Sequence, residues 1–433
     1  MKPGVQRTVV ATLLAGSLAP AAVGAETLED AWARALGADR GLAAARSQAE
    51  AADLDAAAAR AQRWPTVAVG GSYTWLDESP AFDFSFTGLP ITAPPLFGGD
   101  DYVMGQAAVS LPLFTGGRIS SGIAAAEARG RGAGAQAAGA EQDVKLAVAE
   151  TYVGVLRARK ALAVADSNVK SLEALASDVG AMFESELVPK NELLAVEVAL
   201  ADARQNRLRA ANAAEIAQAA YNRRLGEPLD RPAEIEEAIP VPEALPMELD
   251  VLVQQALDRR TELAALGEQA EAYGQLAKVE RSRVLPQLSV SGGYTYLENQ
   301  FLDDETVAMA GVGVQWALFD GGQSRKRAAA LDRNRRATQE QRADVESMIA
   351  LQVRQAWLDV EETRQRVRVT ADAVGQAEEN LRIARERYGA GLGTQTQLLE
   401  AETLRVQALT NRDNSTLDAG LARLRLARAV GAL

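Results

Sequence analysis

Carboxylates, arginines and hydroxyls carry nearly all the chemistry this sequence has to offer. The 433 residues include 58 Asp and Glu against 46 Lys and Arg, with no His and no Cys. Without those two types there is no imidazole base, no thiolate nucleophile and no thiolate or imidazole metal ligand. Disulfides and a lipid-bearing cysteine are excluded too. Paired carboxylates and serine hydroxyls can in principle do acid–base or acyl chemistry. Here the carboxylates recur at helical surface spacing, and no cluster is framed by loops at strand ends. Gly130-Arg131-Gly132-Ala133-Gly134 lies inside a helical pattern and follows no strand, so it is no dinucleotide cradle, and no GxxxxGK[ST] phosphate loop is present. An enzyme is therefore the weakest reading, and no cofactor or metal is expected. The net charge of −12 reads as a solvated helix surface and has the wrong sign for nucleic acid.

These residues sit in a framework that occurs twice. Leu111-Pro112-Leu113-Phe114-Thr115-Gly116-Gly117 reappears as Trp316-Ala317-Leu318-Phe319-Asp320-Gly321-Gly322. The same offset of 205 relates Tyr152 to Trp357, Phe183 to Tyr388, Glu197 to Glu402 and Gly226 to Gly431. Upstream, an offset of 221 relates Trp64-Pro65 to Leu285-Pro286 and Tyr73-Thr74 to Tyr294-Thr295. The connection between Tyr73 and Val109 must then be longer in the first copy, which assigns an extended external loop to residues 76–101. Two copies are too few for an open-ended solenoid. They predict a pseudo-symmetric protomer with repeats at 26–247 and 248–433, joined by a proline-rich connector at 226–247.

Each repeat runs helix, strand, loop, strand, long helix, turn, helix. The first helical tracts cover about Thr27 to Gln62 and Leu249 to Arg283, and both stop at a proline, Pro65 or Pro286. The period then changes from about 3.6 to 2, predicting strands at about 65–75, 102–114, 286–297 and 307–319. Val67, Val69, Tyr73 and Trp75 share one face of the first strand, and Thr66, Ala68, Gly70, Ser72 and Thr74 share the other. Strands of about 9 to 11 residues can cross a bilayer when tilted, and Tyr73, Trp75, Tyr294, Tyr296 and Trp316 suit interfacial girdles. A half-buried soluble sheet has the same alternation, but the neighbouring helices look too long and too polar to cover it. Four strands cannot close a barrel, and open edges cannot face lipid. The chain must therefore associate, as two copies with eight strands or three with twelve and a lumen.

After each Gly-Gly pair a helical hairpin is expected, at about 118–225 and 322–430. A first arm of roughly 65 residues makes a rod of about 100 Å. Gly130, Gly132 and Gly134 soften the first rod, and Leu193, Leu194, Val196 and Val198 pack the hairpins as coiled coils. Lys2, Arg7, the apolar stretch from Val9 to Leu18 and Val23-Gly24-Ala25 predict a cleaved export signal at 1–25.

With these elements in order, the chain resembles the TolC-like outer membrane efflux proteins over its whole mature length. The matches with most specificity are Leu318-Phe319-Asp320-Gly321-Gly322 with its partner at 113–117, and Arg387-Tyr388-Gly389-Ala390-Gly391 leading into Leu398-Leu399-Glu400-Ala401-Glu402. The resemblance implies a mainly α fold with a transmembrane β-barrel. A homotrimer would form a 12-stranded barrel in outer membrane lipid and an α-helical tunnel in the periplasm. It further implies a passive exit duct in a tripartite efflux or type I secretion system, with a periplasmic adaptor protein docked on the hairpin tips and an inner membrane pump supplying the energy. The main rival is a periplasmic coiled-coil adaptor or structural protein, which would need a β domain flanking one hairpin rather than two equivalent hairpins. A soluble exported filament is the second.

Residue roles follow from the resemblance alone. The family's gate tyrosine falls on Tyr388 and its gate arginine on Gly393, so the full lock is not reproduced. The acidic ring positions fall on Gln397 and Glu400, and the first-repeat acidic partner on Glu192. Three copies of Glu400 would form a carboxylate ring, unless Glu400 pairs with Arg405 or Arg387. Leu187, Val188, Pro189, Gly391 and Leu392 are the expected adaptor contacts.

Overall fold

Glycine pairs mark where strand gives way to helix. Gly116 and Gly117 have φ of 62° and 88°, and Gly321 and Gly322 have 67° and 81°, a left-handed turn that a Cβ disfavours. Beyond each pair a single helix of 67 residues begins, at Arg118 and at Gln323. Its first N–H groups, which lack partners within a helix, are met by side chains. Ile119 donates to Thr115 Oγ1 at 3.3 Å, while Gly322 and Ser324 donate to the two Asp320 oxygens at 2.9 and 2.8 Å.

The computed structural model describes residues 25–80, 97, 99–237, 239, 248–299 and 303–433. In chain order the elements are α1 (Leu28–Ala38), α2 (Arg40–Ala61), β1 (Thr66–Trp75), β2 (Asp101–Phe114), α3 (Arg118–Glu184), α4 (Lys190–Arg224), α5 (Leu249–Arg259), α6 (Thr261–Ser282), β3 (Gln287–Leu297), β4 (Thr306–Gln315), α7 (Gln323–Gly389) and α8 (Gln395–Ala429). The expected export signal lies outside the described residues except for Ala25. So do most of the expected external loop and the end of the connector.

Three local features differ from the sequence reading. Each first helical tract is two helices. Asp39 breaks the first tract by turning extended and accepting Leu42 N–H at 2.9 Å, the geometry of an N-cap. Arg260 breaks the second at the equivalent place, its guanidinium bonding Glu262, Gln352 Oε1 and Ala429 O. The glycines of the first rod do not interrupt it, since α3 is a single helix. Gly130 admits a close neighbour, as does Gly139 further along: a Cβ on Gly130 would stand 2.8 Å from Asp53 Oδ1, and one on Gly139 2.7 Å from Thr261 Oγ1, while Gly134 has nothing within 4 Å. The strand expected at 307–319 ends at Gln315, because its partner β3 begins at Gln287, directly opposite. β2 continues to Phe114 only because it has β3 on its second side.

The chain divides into two compact units. One gathers the described parts of Met1–Ala35, Val148–Pro240 and Thr370–Gly420. Within it Val179, Val196, Leu381, Tyr388, Leu398 and Ala401 form a buried cluster where α3, α4, α7 and α8 meet. Val196 is fully buried there and Leu193 packs against the cluster, whereas Leu194 and Val198 remain exposed.

The other unit gathers the described parts of Leu36–Ala147 and Val241–Val369, and Leu421–Leu433. Its helical core joins Leu252, Leu263, Ile349, Val353, Leu426 and Val430. It also holds a four-stranded antiparallel sheet, in the order β1-β2-β3-β4. The register puts Val67, Val69, Tyr73 and Trp75 of β1 beside Val103, Ala107, Val109 and Leu111 of β2. Leu288, Val290, Tyr294 and Tyr296 of β3 follow, then Ala308, Ala310, Val312 and Val314 of β4. One face of the sheet is therefore apolar along most of its length, and none of the described residues covers its centre: Val69 is 82% exposed and Val312 68%. The opposite face carries Thr66, Ser72, Gln106, Ser110, Ser289 and Thr295. Among the described residues no helix is long and apolar enough to cross a membrane.

Candidate functional site

The two hairpin turns are built alike. After α3, Leu187 N–H donates to Met182 O at 2.9 Å and Glu186 N–H to Phe183 O at 2.9 Å. After α7, Leu392 N–H donates to Arg387 O at 2.8 Å and Gly391 N–H to Tyr388 O at 3.0 Å. Both are Schellman closures with a left-handed residue in the middle, Glu186 at φ 55° and Gly391 at φ 73°. Each closure leaves a leucine outside: Leu187 is 71% and Leu392 73% exposed. Pro189 is exposed and opens α4 without a side-chain cap. Val188 is not free at the tip, because it packs against the buried cluster with Tyr388.

The turns are tied together at Glu192, in the first turn of α4. The Tyr388 hydroxyl donates to Glu192 Oε2 at 2.8 Å, and Gln395 Nε2 donates to the Glu192 carbonyl at 2.5 Å. Burial, and then the hydrogen bond and charge of Glu192, push the Tyr388 hydroxyl up to about 12. It stays a neutral donor at physiological pH, and a phenol donating to a carboxylate is a charge-assisted bond. A side chain at Gly393 would crowd the end of α7, since a Cβ would lie 3.2 Å from Arg387 Cβ and 3.3 Å from Tyr388 N.

Gln397 and Glu400 part company. Gln397 Oε1 accepts Thr394 N–H at 3.2 Å while Thr394 Oγ1 accepts Gln397 N–H at 3.3 Å. This reciprocal capping box starts α8 and occupies the Gln397 amide. Glu400 is exposed. Neither arginine suggested as its partner pairs with it: Arg405 pairs with Glu402 at 2.5 Å and Arg387 donates to Leu392 O at 3.4 Å.

The buried ionic cluster of this region was not foreseen. Glu402, 5% exposed, accepts from Arg405 through Oε1 and from Ser171 at 2.9 Å and Arg385 at 3.3 Å through Oε2, while Arg385 also donates to Ser171 Oγ. It fastens α8 to α3 and α7. The Arg405 spacing of three along one helix was legible, but Ser171 and Arg385 come from other helices.

A sequence profile described as outer membrane efflux protein matches residues 32–227 and 252–432. The chain belongs to the outer membrane efflux protein family. Over 155 residues it is 27% identical to the outer membrane efflux protein BepC of Brucella suis biovar 1, covering 36% of this chain and 34% of BepC, so the matched stretch spans about a third of that relative. In structure it is similar to the outer membrane protein VceC of Vibrio cholerae, with a TM-score of 0.80, 20% identity, and 93% of this chain and 96% of VceC covered. The CmeC outer membrane channel of Campylobacter jejuni gives 0.80 at 14% identity, covering 94% and 85%. The fold is therefore that of the TolC-like outer membrane channels. In this efflux-family chain the two Gly-Gly strand exits and the paired hairpin turns are the repeated landmarks. Glu192 and Tyr388 are brought together near the turns, whereas the side chains of Glu400, Leu187 and Leu392 are exposed.

Proposed function

We propose that this efflux-family protein is the passive exit duct of a tripartite efflux or type I secretion system in a Gram-negative outer membrane. The observation that carries this reading is the sheet. Among the described residues its apolar face is uncovered, its other face is largely small and polar apart from Met104, Leu297, Val307 and Met309 toward one end, and its outer edges, β1 and β4, are unpaired. Backbone groups on an open edge cannot be left unsatisfied in lipid, so the sheet becomes a wall only when copies close it. Three copies supply twelve strands and a lumen lined by the polar face. The passive role asks for no catalytic group, and energy comes from an inner membrane pump reached through a periplasmic adaptor.

In this reading the Tyr388–Glu192 bond holds the two hairpins of one protomer together at the periplasmic gate. Gly393 supplies no arginine to that lock, and the Glu402 cluster strengthens the closed arrangement instead. Glu400 faces the pore as a ring of three carboxylates, while Gln397 serves as a helix cap rather than a ring member. Leu187 and Leu392, with Pro189 and Gly391, receive the adaptor.

The test is negative-stain imaging of detergent-extracted protein with its mass measured in the same preparation. A trimeric tube capped by a barrel is expected. Monomeric or dimeric rods that stay soluble without detergent would overturn the duct and favour an adaptor.

A further inference from the structure

The polar face of the sheet is not uniform. Toward the Gly-Gly exits it carries Thr66, Ser110, Ser289 and Gln315, whereas toward the strand tips it carries Met104 beside Leu297, then Val307 and Met309 on β4. Met104 is 37% and Met309 58% exposed. Tyr102, two places before Met104 on the same face, stacks on Phe97 with ring centroids 4.1 Å apart. A lipid-facing role does not account for these side chains, because they lie on the face opposite Val69 and Val312.

The patch is part of the duplication. An offset of 221 relates Leu76-Asp77 to Leu297-Glu298, and an offset of 205 relates Asp100 to Glu305 and Met104 to Met309. Both hairpins are closed alike beside it, Leu76 N–H donating to Asp100 O at 2.6 Å and Leu297 N–H to Glu305 O at 2.9 Å. Each repeat thus sets a leucine, a methionine and two carboxylate residues at the same places. Charge at this end has one sign. No lysine or arginine occurs from Trp64 to Gly117 or from Val284 to Ser324, while Asp100-Asp101 and Asp303-Asp304-Glu305 crowd the tips.

We propose that the tip end of the polar face is a binding site for lipophilic organic cations. This rests on the duct reading above, which turns the polar face to the lumen and gathers the tips of all copies around one external mouth. Clustered exposed apolar side chains mark interaction sites, and the composition of this one selects the ligand. Methionine thioethers adapt to apolar bodies of varied shape, and the Tyr102 ring offers a face to a positive centre. Carboxylates with no basic residue among them raise the local concentration of cations. A small hydrated cation would feel that field but gain nothing from Met104 and Met309, and an apolar anion would be repelled by it. Only a ligand with both properties uses the whole site.

The chain has no cysteine, so Ser72→Cys places a sole thiol directly opposite Met104 without removing an apolar member of the patch. In isolated outer membranes containing the full-length variant, tetraphenylphosphonium should slow reaction of that thiol with a water-soluble maleimide at least fivefold. Equal concentrations of tetramethylammonium or of tetraphenylborate should change the rate less than twofold. Adding M104S/M309S, or D303N/D304N, to the reporter should remove most of the protection. Equal protection by tetramethylammonium or by tetraphenylborate would overturn the site, as would protection that survives M104S/M309S. A thiol that fails to react in protein trimeric by native mass would show the patch covered, overturning the site while the duct stood. Protein that is monomeric by native mass would remove the duct reading and the site with it.

Discussion

Glu186 and Gly391 occupy the same left-handed position in the two hairpin turns, and only one of them is a glycine. A side chain at such a φ costs about 1–2 kcal/mol, offset in part by the greater freedom glycine gains when unfolded. Glu186→Gly should therefore stabilise the protein by roughly 0.5–1 kcal/mol, seen as a rise in Tm by circular dichroism, and a fall would mean that the Glu186 side chain contributes more than its backbone strain costs. Glu402 poses the opposite case, a carboxylate buried among two arginines and a serine. Hydrogen bonds to charged groups contribute about 1.5–3 kcal/mol, so Glu402→Gln should lower stability by about 2 kcal/mol, checked by the same melt. At this scale the sequence was uneven. Thr394 and Gln397 spelled a capping box that the family analogy led away from. The ionic cluster at Glu402 was invisible because its members come from three helices and only burial makes it matter.

Between elements, the ends of α5, α6 and α8 are fastened by charge. Arg428 reaches Asp143 and Glu262, and Arg260 forks onto Glu262. Burial pushes the Glu262 carboxyl up, but the hydrogen bonds from Arg260, its own backbone N–H and Arg428 outweigh it and hold it at about 2. A folded value below the unfolded one stabilises fully above about pH 4.5, and the gain is lost as pH falls toward 2. The side chain is 37% exposed, so solvent screening leaves on the order of 1 kcal/mol. Glu262→Gln should lower Tm at pH 7, and the gap to the unaltered protein should narrow between pH 4.5 and 2. A gap independent of pH would show that packing, not charge, is lost. The repeat offsets and the two periods made the strands and long helices legible, because each element repeats one spacing over many residues. The breaks at Asp39 and Arg260 were not, since each turns on one residue whose partners lie elsewhere. Nor was the end of β4, which depends on where β3 starts.

For the whole molecule, the duct reading gives distinct work to different residues near the hairpin turns. Leu187 and Leu392 are related by the repeat and equally exposed, so an adaptor meets the same apolar knob twice per protomer. Leu392→Asp should abolish efflux, read as a fall in the minimal inhibitory concentration of an exported compound, while leaving membrane insertion unchanged. Normal efflux would rule this contact out. Glu400 offers the sharper test, because its role exists only in the assembly. In one chain it is an exposed carboxylate with no arginine neutralising it. Three such charges around an axis would raise local cation concentration at a constriction. In planar bilayers under a salt gradient, Glu400→Gln should move the reversal potential toward zero and reduce cation over anion preference severalfold. The trimer should remain intact, because among the described residues the exposed Glu400 side chain makes no hydrogen bond or ion pair. Unchanged selectivity in an intact trimer would place Glu400 on the outer surface of the tunnel, and the ring reading would fall while the duct stood.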